Sequence, residues 1–328
     1  MIEQDKYILG IDISKKHFDV ALLLPNGKRK NKKFTNNPAG FEVLHSWLNK
    51  FEVTLMHACL EATSTYGHML AEYLFDQGYD VSLVNPARIK GFAQSELLRT
   101  KTDKQDASLI ARFCESVQPA LWVPESIKIR ELKALVRRLD SLIEMKQQEV
   151  NRLDVSNQVV TDDISGHIEL LTTRIESLRA LIRKHINDDP DLREQKDLLL
   201  TIPGIGEKTV ATVLSYFAMI ERFDNAKQLA AFCAVAPCQR QSGTSLNRRG
   251  KMSKVGPSQL RKALFLPAMV ALRYNPLMVL LNERLTKAGK PKMVIIGAAM
   301  RKLVHMIYGV LRLQISAFYS QIGLRCFQ

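Results

Sequence analysis

Paired cysteines are missing from this chain. Cys59, Cys114, Cys233, Cys238 and Cys326 are scattered, form no CxxC pair and have no histidine at ligand spacing. An odd, dispersed set in a chain of 328 residues argues against a disulfide framework and against a zinc site. Buried or idle thiols are the expectation. Long apolar runs are missing as well. The longest, Ala263 to Leu272, falls far short of the roughly 20 residues that span a bilayer. Met1 to Asp12 passes from polar residues straight into a strand-like run, with no basic segment ahead of an apolar leader core. A soluble cytoplasmic protein with no membrane partner is therefore expected. A nucleotide P-loop is also absent. Gly206-Glu207-Lys208-Thr209 has Gly204 too close for the required spacing, and no strand precedes it.

Acidic residues are depleted in one region only. From Cys238 to Gln328 there are 16 Lys and Arg against a single acid, Glu283, whereas the residues before Cys238 hold 31 basic and 32 acidic side chains. The formal net charge of +14 thus comes wholly from the last third. A solvated surface does not require that asymmetry, and a polyanionic partner explains it directly. A membrane surface fits less well, because the basic residues spread over several segments and not along one amphipathic face.

The length implies two or three units. The first, residues 1–119, reads as a mixed α/β sheet. Tyr7–Ile13 and His17–Leu24 are strands around the short turn Ser14-Lys15-Lys16, and Asn26-Gly27 turns into a third strand near Lys32–Thr35. Helical spacing from Phe41 to Asn49, the buried strand Thr54–Ala62, a helix through Met69–Gln77 stopped by Gly78, and the strand Asp80–Asn85 follow. Three meandering strands and then alternating helix and strand is a ribonuclease-H type of plan.

The second part, residues 120–190, is helical. Leu132, Leu135, Leu139 and Leu142, and then Ile164, Ile168, Leu171, Ile175, Leu178 and Ile182, recur at alternating spacings of three and four. A break near Thr161-Asp162-Asp163 and Gly166 predicts two long helices, folded on each other or paired with a second subunit as a coiled coil. The third part, residues 191–328, opens with Leu199–Leu214, read as a helix-hairpin-helix. Its Gly204 and Gly206 would let the backbone approach a phosphate, and the helix start at Lys208 and Thr209 would supply N–H donors. Basic segments and apolar helices follow, so the architecture expected is α/β plus all-α.

Four carboxylates stand out. Asp12 lies within an apolar strand and Glu61 ends another; a carboxylate there costs several kcal/mol unless paired or bound to a cation. Asp103 and Asp106 are one helical turn apart. As a pair alone they read equally well as caps of the following helix. Together the four make an oxygen-only set suited to Mg²⁺ or Mn²⁺, and two such ions about 4 Å apart serve phosphodiester chemistry.

Five segments, GIDISKKHFDV from Gly10, EATSTYG from Glu61, NPARIKGFAQSELLRTKTDKQDA from Asn85, IPGIGEKTVATVL from Ile202 and QSGTSLNRRGKMSKVG from Gln241, resemble in order the motifs of the DEDD insertion-sequence transposases, the group that includes Piv-type DNA invertases. The resemblance spans nearly the whole chain. It implies a RuvC-like domain, a coiled-coil segment and a C-terminal transposase domain. It further implies that Asp12, Glu61, Asp103 and Asp106 bind Mg²⁺ and that Ser242 attacks DNA to form a transient phosphoserine link. Some members of the group are guided by a structured RNA that pairs with donor and target DNA. Spacing alone would leave Ser242 a turn residue beside glycine. Arg240, Arg248, Arg249, Lys251 and Lys254 near it are candidates for holding phosphates and stabilising the transition state. Arg99, Lys101, Arg261 and Lys262 are further basic candidates for DNA or RNA. No histidine stands near Ser242, so activation is expected from metal or carboxylates, and a dimer or tetramer is expected for cutting two duplexes. Two other readings stay open: a Holliday-junction-like nuclease in which water attacks, and a non-catalytic nucleic-acid-binding protein.

Overall fold

The computed structural model describes residues 6–62, 65–96, 103–217, 220–242, 246–253 and 255–314; among these, Thr65, Asp103, Lys104 and residues 239–242 and 246–251, Ser242 included, are described by backbone position alone. The chain divides into two compact units, Met1–Glu125 and Ser126–Gln328.

The first unit is built on a five-stranded sheet. Strands β1 (Tyr7–Ile13), β2 (His17–Leu23) and β3 (Arg29–Thr35) form an antiparallel meander. Helix α1 (Pro38–Asn49) leads to β4 (Met56–Glu61), and α2 (His68–Asp76) leads to β5 (Asp80–Val84). Both β4 and β5 run parallel to β1, giving the order β3-β2-β1-β4-β5. That arrangement is consistent with the ribonuclease-H-like plan. Helices α3 (Pro86–Ser95) and α4 (Asp103–Val117) complete the unit.

Period-two alternation decides the two faces of the sheet. Leu9, Ile11, Phe18, Val20, Leu22, Ala58 and Leu60 pack with Phe41, Leu44 and Leu70 of the α1–α2 layer. Ile8, Ala21, Leu23, Cys59 and Val84 face the opposite way, against Ala107, Ile110, Ala111 and Cys114 of α4. Full burial of a side chain such as Leu9 or Ile11 is worth about 2 kcal/mol.

The second unit opens with α5 (Ile127–Leu153) and α6 (Thr161–Asn187), which fold on each other as a hairpin within the chain. The break falls at residues 154–160, ahead of the expected position. Thr161, Asp162 and Asp163 form the first turn of α6, where acids complement the helix dipole, and Gly166 lies inside the helix. Next come α7 (Pro190–Leu200), α8 (Glu207–Phe217) and α9 (Ala226–Phe232), then a two-stranded hairpin of β6 (Pro237–Ser242) and β7 (Leu246–Met252). Helices α10 (Ser258–Tyr274), α11 (Pro276–Lys287) and α12 (Lys292–Leu313) follow.

Residues 120–190 and 191–328 were expected as separate bodies, yet α5 and α6 share one core with the helices that follow. Leu132, Leu139 and Ile175 belong to the same cluster as Val213, Leu264 and Val304. The heptad seam of α5 is completed by α8 as well as by α6. Four helices, α1, α3, α7 and α11, begin alike: Asn37, Asn85, Asp189 or Asn275 caps the first turn and proline follows. Each such cap contributes about 1 kcal/mol. Helix α12 is long and apolar enough to cross a bilayer, but Ala299, Leu303, Val304, Ile307 and Val310 bury its apolar face in this core. Cys59, Cys114 and Cys233 are buried and Cys238 is exposed, all as free thiols; Cys326 lies outside the described residues.

One titration follows from the α12 packing. His305 has its imidazole held below the ordinary range by burial first, then by Arg301, Lys302 and Lys227, and its Nε2 has no hydrogen-bond partner among the described residues. The neutral ring is the native form, so its stability is fully present above the unfolded imidazole pKa of about 6.5 and is lost as pH falls below it. Thermal melts from pH 8 to 5.5 should show His305→Leu losing less midpoint temperature than the parent chain. Equal losses would remove His305 from the account.

Candidate active site

The geometry begins at Gly10. A Cβ there would fall inside van der Waals contact of the Ala107 carbonyl oxygen and the Ala111 nitrogen, so α4 lies directly on β1. Ala107 and Ala111, spaced by four, present the flat strip that this approach needs. Two further contacts give the helix its direction. Asn31 Nδ2 donates to Ser108 Oγ at 3.2 Å, and Cys114 Sγ lies 3.9 Å from the His57 carbonyl oxygen at the start of β4. The C-terminal half of α4 therefore covers the beginnings of the parallel strands. Its N-terminal turn, with Asp103 and Asp106, points toward their ends, where Asp12 and Glu61 stand.

Strand register aligns the carboxylates. Ile11 pairs with Leu60, which brings Glu61 abreast of Asp12 on adjacent parallel strands. Asp12 and Glu61 follow Gly10 and Cys59 at strand spacing, so both belong to the α4 face of the sheet. Asp12, Glu61 and Asp106 are all half-buried. Asp103 is the first residue of α4. The donor set is all oxygen, which fits a hard divalent cation. Among the described residues, no three acidic, histidine or cysteine side chains converge closely enough to hold a metal.

A fifth carboxylate escaped the sequence reading. Asp19 is the register partner of Asp12 across β1 and β2, and Lys33 of β3 lies 3.3 Å from it. The turn read from the sequence, Ser14-Lys15-Lys16, is one residue too long to pair them; in the structure Ser14 and His17 close the hairpin around Lys15-Lys16, and that register sets Asp19 opposite Asp12.

Ser242 ends β6, and the backbone register sets it opposite Leu246, with Arg240 opposite Arg248 and Lys251 opposite Cys238. Arg249 lies within β7. The sequence showed a loop here; the structure shows a basic hairpin. Arg99, Lys101 and Lys254 lie outside the described residues.

At the α7–α8 turn the two glycines differ. Gly204 has φ +103° and faces α10, where a Cβ would meet the Pro267 carbonyl at 2.9 Å. Its missing side chain thus serves packing against α10 within the unit. Gly206 has open space around its α-carbon. Thr209 is buried. Two of the expected nucleic-acid lysines meet acids of α5. Lys262 Nζ lies 2.8 Å from Glu144 Oε1, and Lys208 Nζ lies 3.9 Å from Asp140. Lys262 holds the Glu144 carboxyl below its usual range, while burial pushes the Asp140 carboxyl up against the pull of Lys208. Arg261 is half-buried beside them.

Comparison with known proteins supplies the class. Residues 9–156 match a family model described as transposase, and residues 196–281 match the transposase IS116/IS110/IS902 family. The pilin gene-inverting proteins of Moraxella bovis and Moraxella lacunata are each 36% identical over 311 residues, covering 94% of this chain and 96% of theirs. The transposase for insertion sequence element IS1111A of Coxiella burnetii is 23% identical over 310 residues, covering 83% of this chain and 79% of its own. A mixed sheet with acidic strand ends, followed by a basic helical unit, is here an enzyme that acts on DNA. The chain belongs to the IS116/IS110/IS902 family of transposases.

Proposed function

We propose that this enzyme cuts and rejoins the DNA of a mobile element, with Asp12, Glu61, Asp103 and Asp106 holding Mg²⁺ (or Mn²⁺) and Ser242 as the nucleophile. The observation that carries the reading is the alignment of Asp12 and Glu61 on adjacent parallel strands, facing the helix that bears Asp103 and Asp106. Bound there, a divalent cation supplies charge neutralisation at the scissile phosphate. The carboxylates would orient it, and its charge would offset their mutual repulsion.

The Ser242 Oγ attacks phosphorus, the deoxyribose oxygen leaves and takes a proton, and one strand stays on the protein as a phosphoserine. A hydroxyl of the partner strand then attacks the phosphoserine, restoring the serine and completing the exchange. Arg240, Arg248, Arg249, Lys251, Lys254, Arg261 and Lys262 are assigned to phosphates, with Arg99, Lys101, Gly206 and Lys208 as additional contacts. A structured guide RNA, donor and target DNA, and a homo-oligomer of two or four copies complete the proposal. The Moraxella relatives are named for inverting a pilin gene. The same chemistry serves inversion or transposition, depending on how the ends are joined.

The test is a denaturing search for DNA covalently attached to protein after incubation with the element's ends, target DNA and Mg²⁺. The parent chain should form the adduct, and Ser242→Ala should lose it while still binding nucleic acid. Cleavage with free phosphate ends and no adduct would instead assign attack to water and make the protein a junction-type nuclease.

A further inference from the structure

Four charged residues form one row across the α4 face of the sheet: Glu61 on β4, Asp12 on β1, Asp19 on β2 and Lys33 on β3. The registers pair Asp12 with Asp19, and Asp19 with Lys33. Because Ser14 N donates to the His17 carbonyl at 2.9 Å, the hairpin closes on a hydrogen-bonded pair. Two steps along the ladder, Asp12 and Asp19 form another such pair, with Cα atoms about 5.5 Å apart.

The Asp19 side chain is only 20% exposed, and Lys33 reaches it at 3.3 Å. A largely buried carboxylate directly opposite a second one destabilises a sheet. Strand β2 does not need it for packing, since Phe18, Val20 and Leu22 anchor the strand on the other face. Asp19 and Lys33 are therefore best explained by the charge of the site beside them.

We infer that Asp19 and Lys33 are positioning residues that set the affinity of the carboxylate site for its divalent cation. This rests on the metal reading above. Asp19 adds negative charge next to Asp12 and strengthens the attraction for the cation, while Lys33 opposes that attraction and offsets the row's charge when no cation is bound. The two substitutions that remove these charges then act with opposite sign, which a purely structural ion pair cannot produce.

The experiment measures Mn²⁺ binding to the full chain by electron paramagnetic resonance, with thermal melts as a folding control. Asp19→Asn should weaken binding about tenfold and Lys33→Met should strengthen it severalfold, for a unit charge this close to a divalent ion. Asp19→Glu should restore most of the loss. Unchanged affinity in both charge-removing variants, or parallel losses that track a fall in melting temperature, would overturn the inference. If the parent chain itself binds no Mn²⁺ and matches Asp12→Asn, the metal reading fails, and this inference falls with it.

Discussion

Gly10→Ala should destabilise the first unit by about 3 kcal/mol or more and abolish DNA cleavage with it. The added methyl would sit inside contact distance of the Ala107 carbonyl and the Ala111 nitrogen, and 2.8 Å from the Ala111 Cα. Every one of those atoms is backbone, so no side chain can rotate away. The strand cannot retreat either, because Gly10 is paired on both sides, with Ala21 and with Cys59. Helix α4 must lift, losing the packing of Ala107 and Ala111 and moving Asp103 and Asp106 away from the strand ends. Urea unfolding would report the stability loss, and a cleavage assay at low temperature would report the lost site. A useful control is Gly91→Ala in α3, where nothing lies near the added Cβ and the gain in helix propensity approaches 1 kcal/mol. Parent-like stability of Gly10→Ala would mean that the close approach of α4 to β1 is wrong.

Asp12→Asn should leave the fold intact and reduce strand cleavage and rejoining by about a thousandfold or more. Asparagine keeps the shape and one acceptor oxygen but removes the charge that a hard cation requires. Stability should change by no more than about 1 kcal/mol, since the substitution also relieves repulsion from Glu61 and Asp19 in the same row. The Mg²⁺-dependent rise in melting temperature expected of the parent chain should vanish in the variant. Near-normal recombination by Asp12→Asn would remove this carboxylate from the chemistry, whatever its position in the sheet.

Much of this arrangement was legible in the residues. The apolar runs in Tyr7–Ile13 and His17–Leu23, with a polar turn between them, were enough to place β1 and β2. The spacing of Leu132, Leu139 and Leu142, and of Leu171, Ile175 and Ile182, was enough to place the α5–α6 pair. What spacing could not say was whether that seam met a second copy or its own chain. The answer depended on α8 and the helices after it, which close the same core. The helix break was misjudged because Thr161-Asp162-Asp163 resembles a loop in composition but works as a first turn. The β6–β7 hairpin was missed because a strand pair rich in arginine lacks the apolar alternation by which strands are recognised.

The sequence alone determined the local elements, the acidic residues at the ends of apolar strands, and the concentration of positive charge in the last third. Those are properties of neighbours within a few residues, or of composition, and they survive without knowing the fold. Only the tertiary structure decided that Asp19 stands opposite Asp12, that Gly204 serves packing against α10, and that Lys208 and Lys262 meet acids of α5. Each depends on strand register or on the approach of distant helices. A slip of one residue in register would turn every side chain of β2 to the other face.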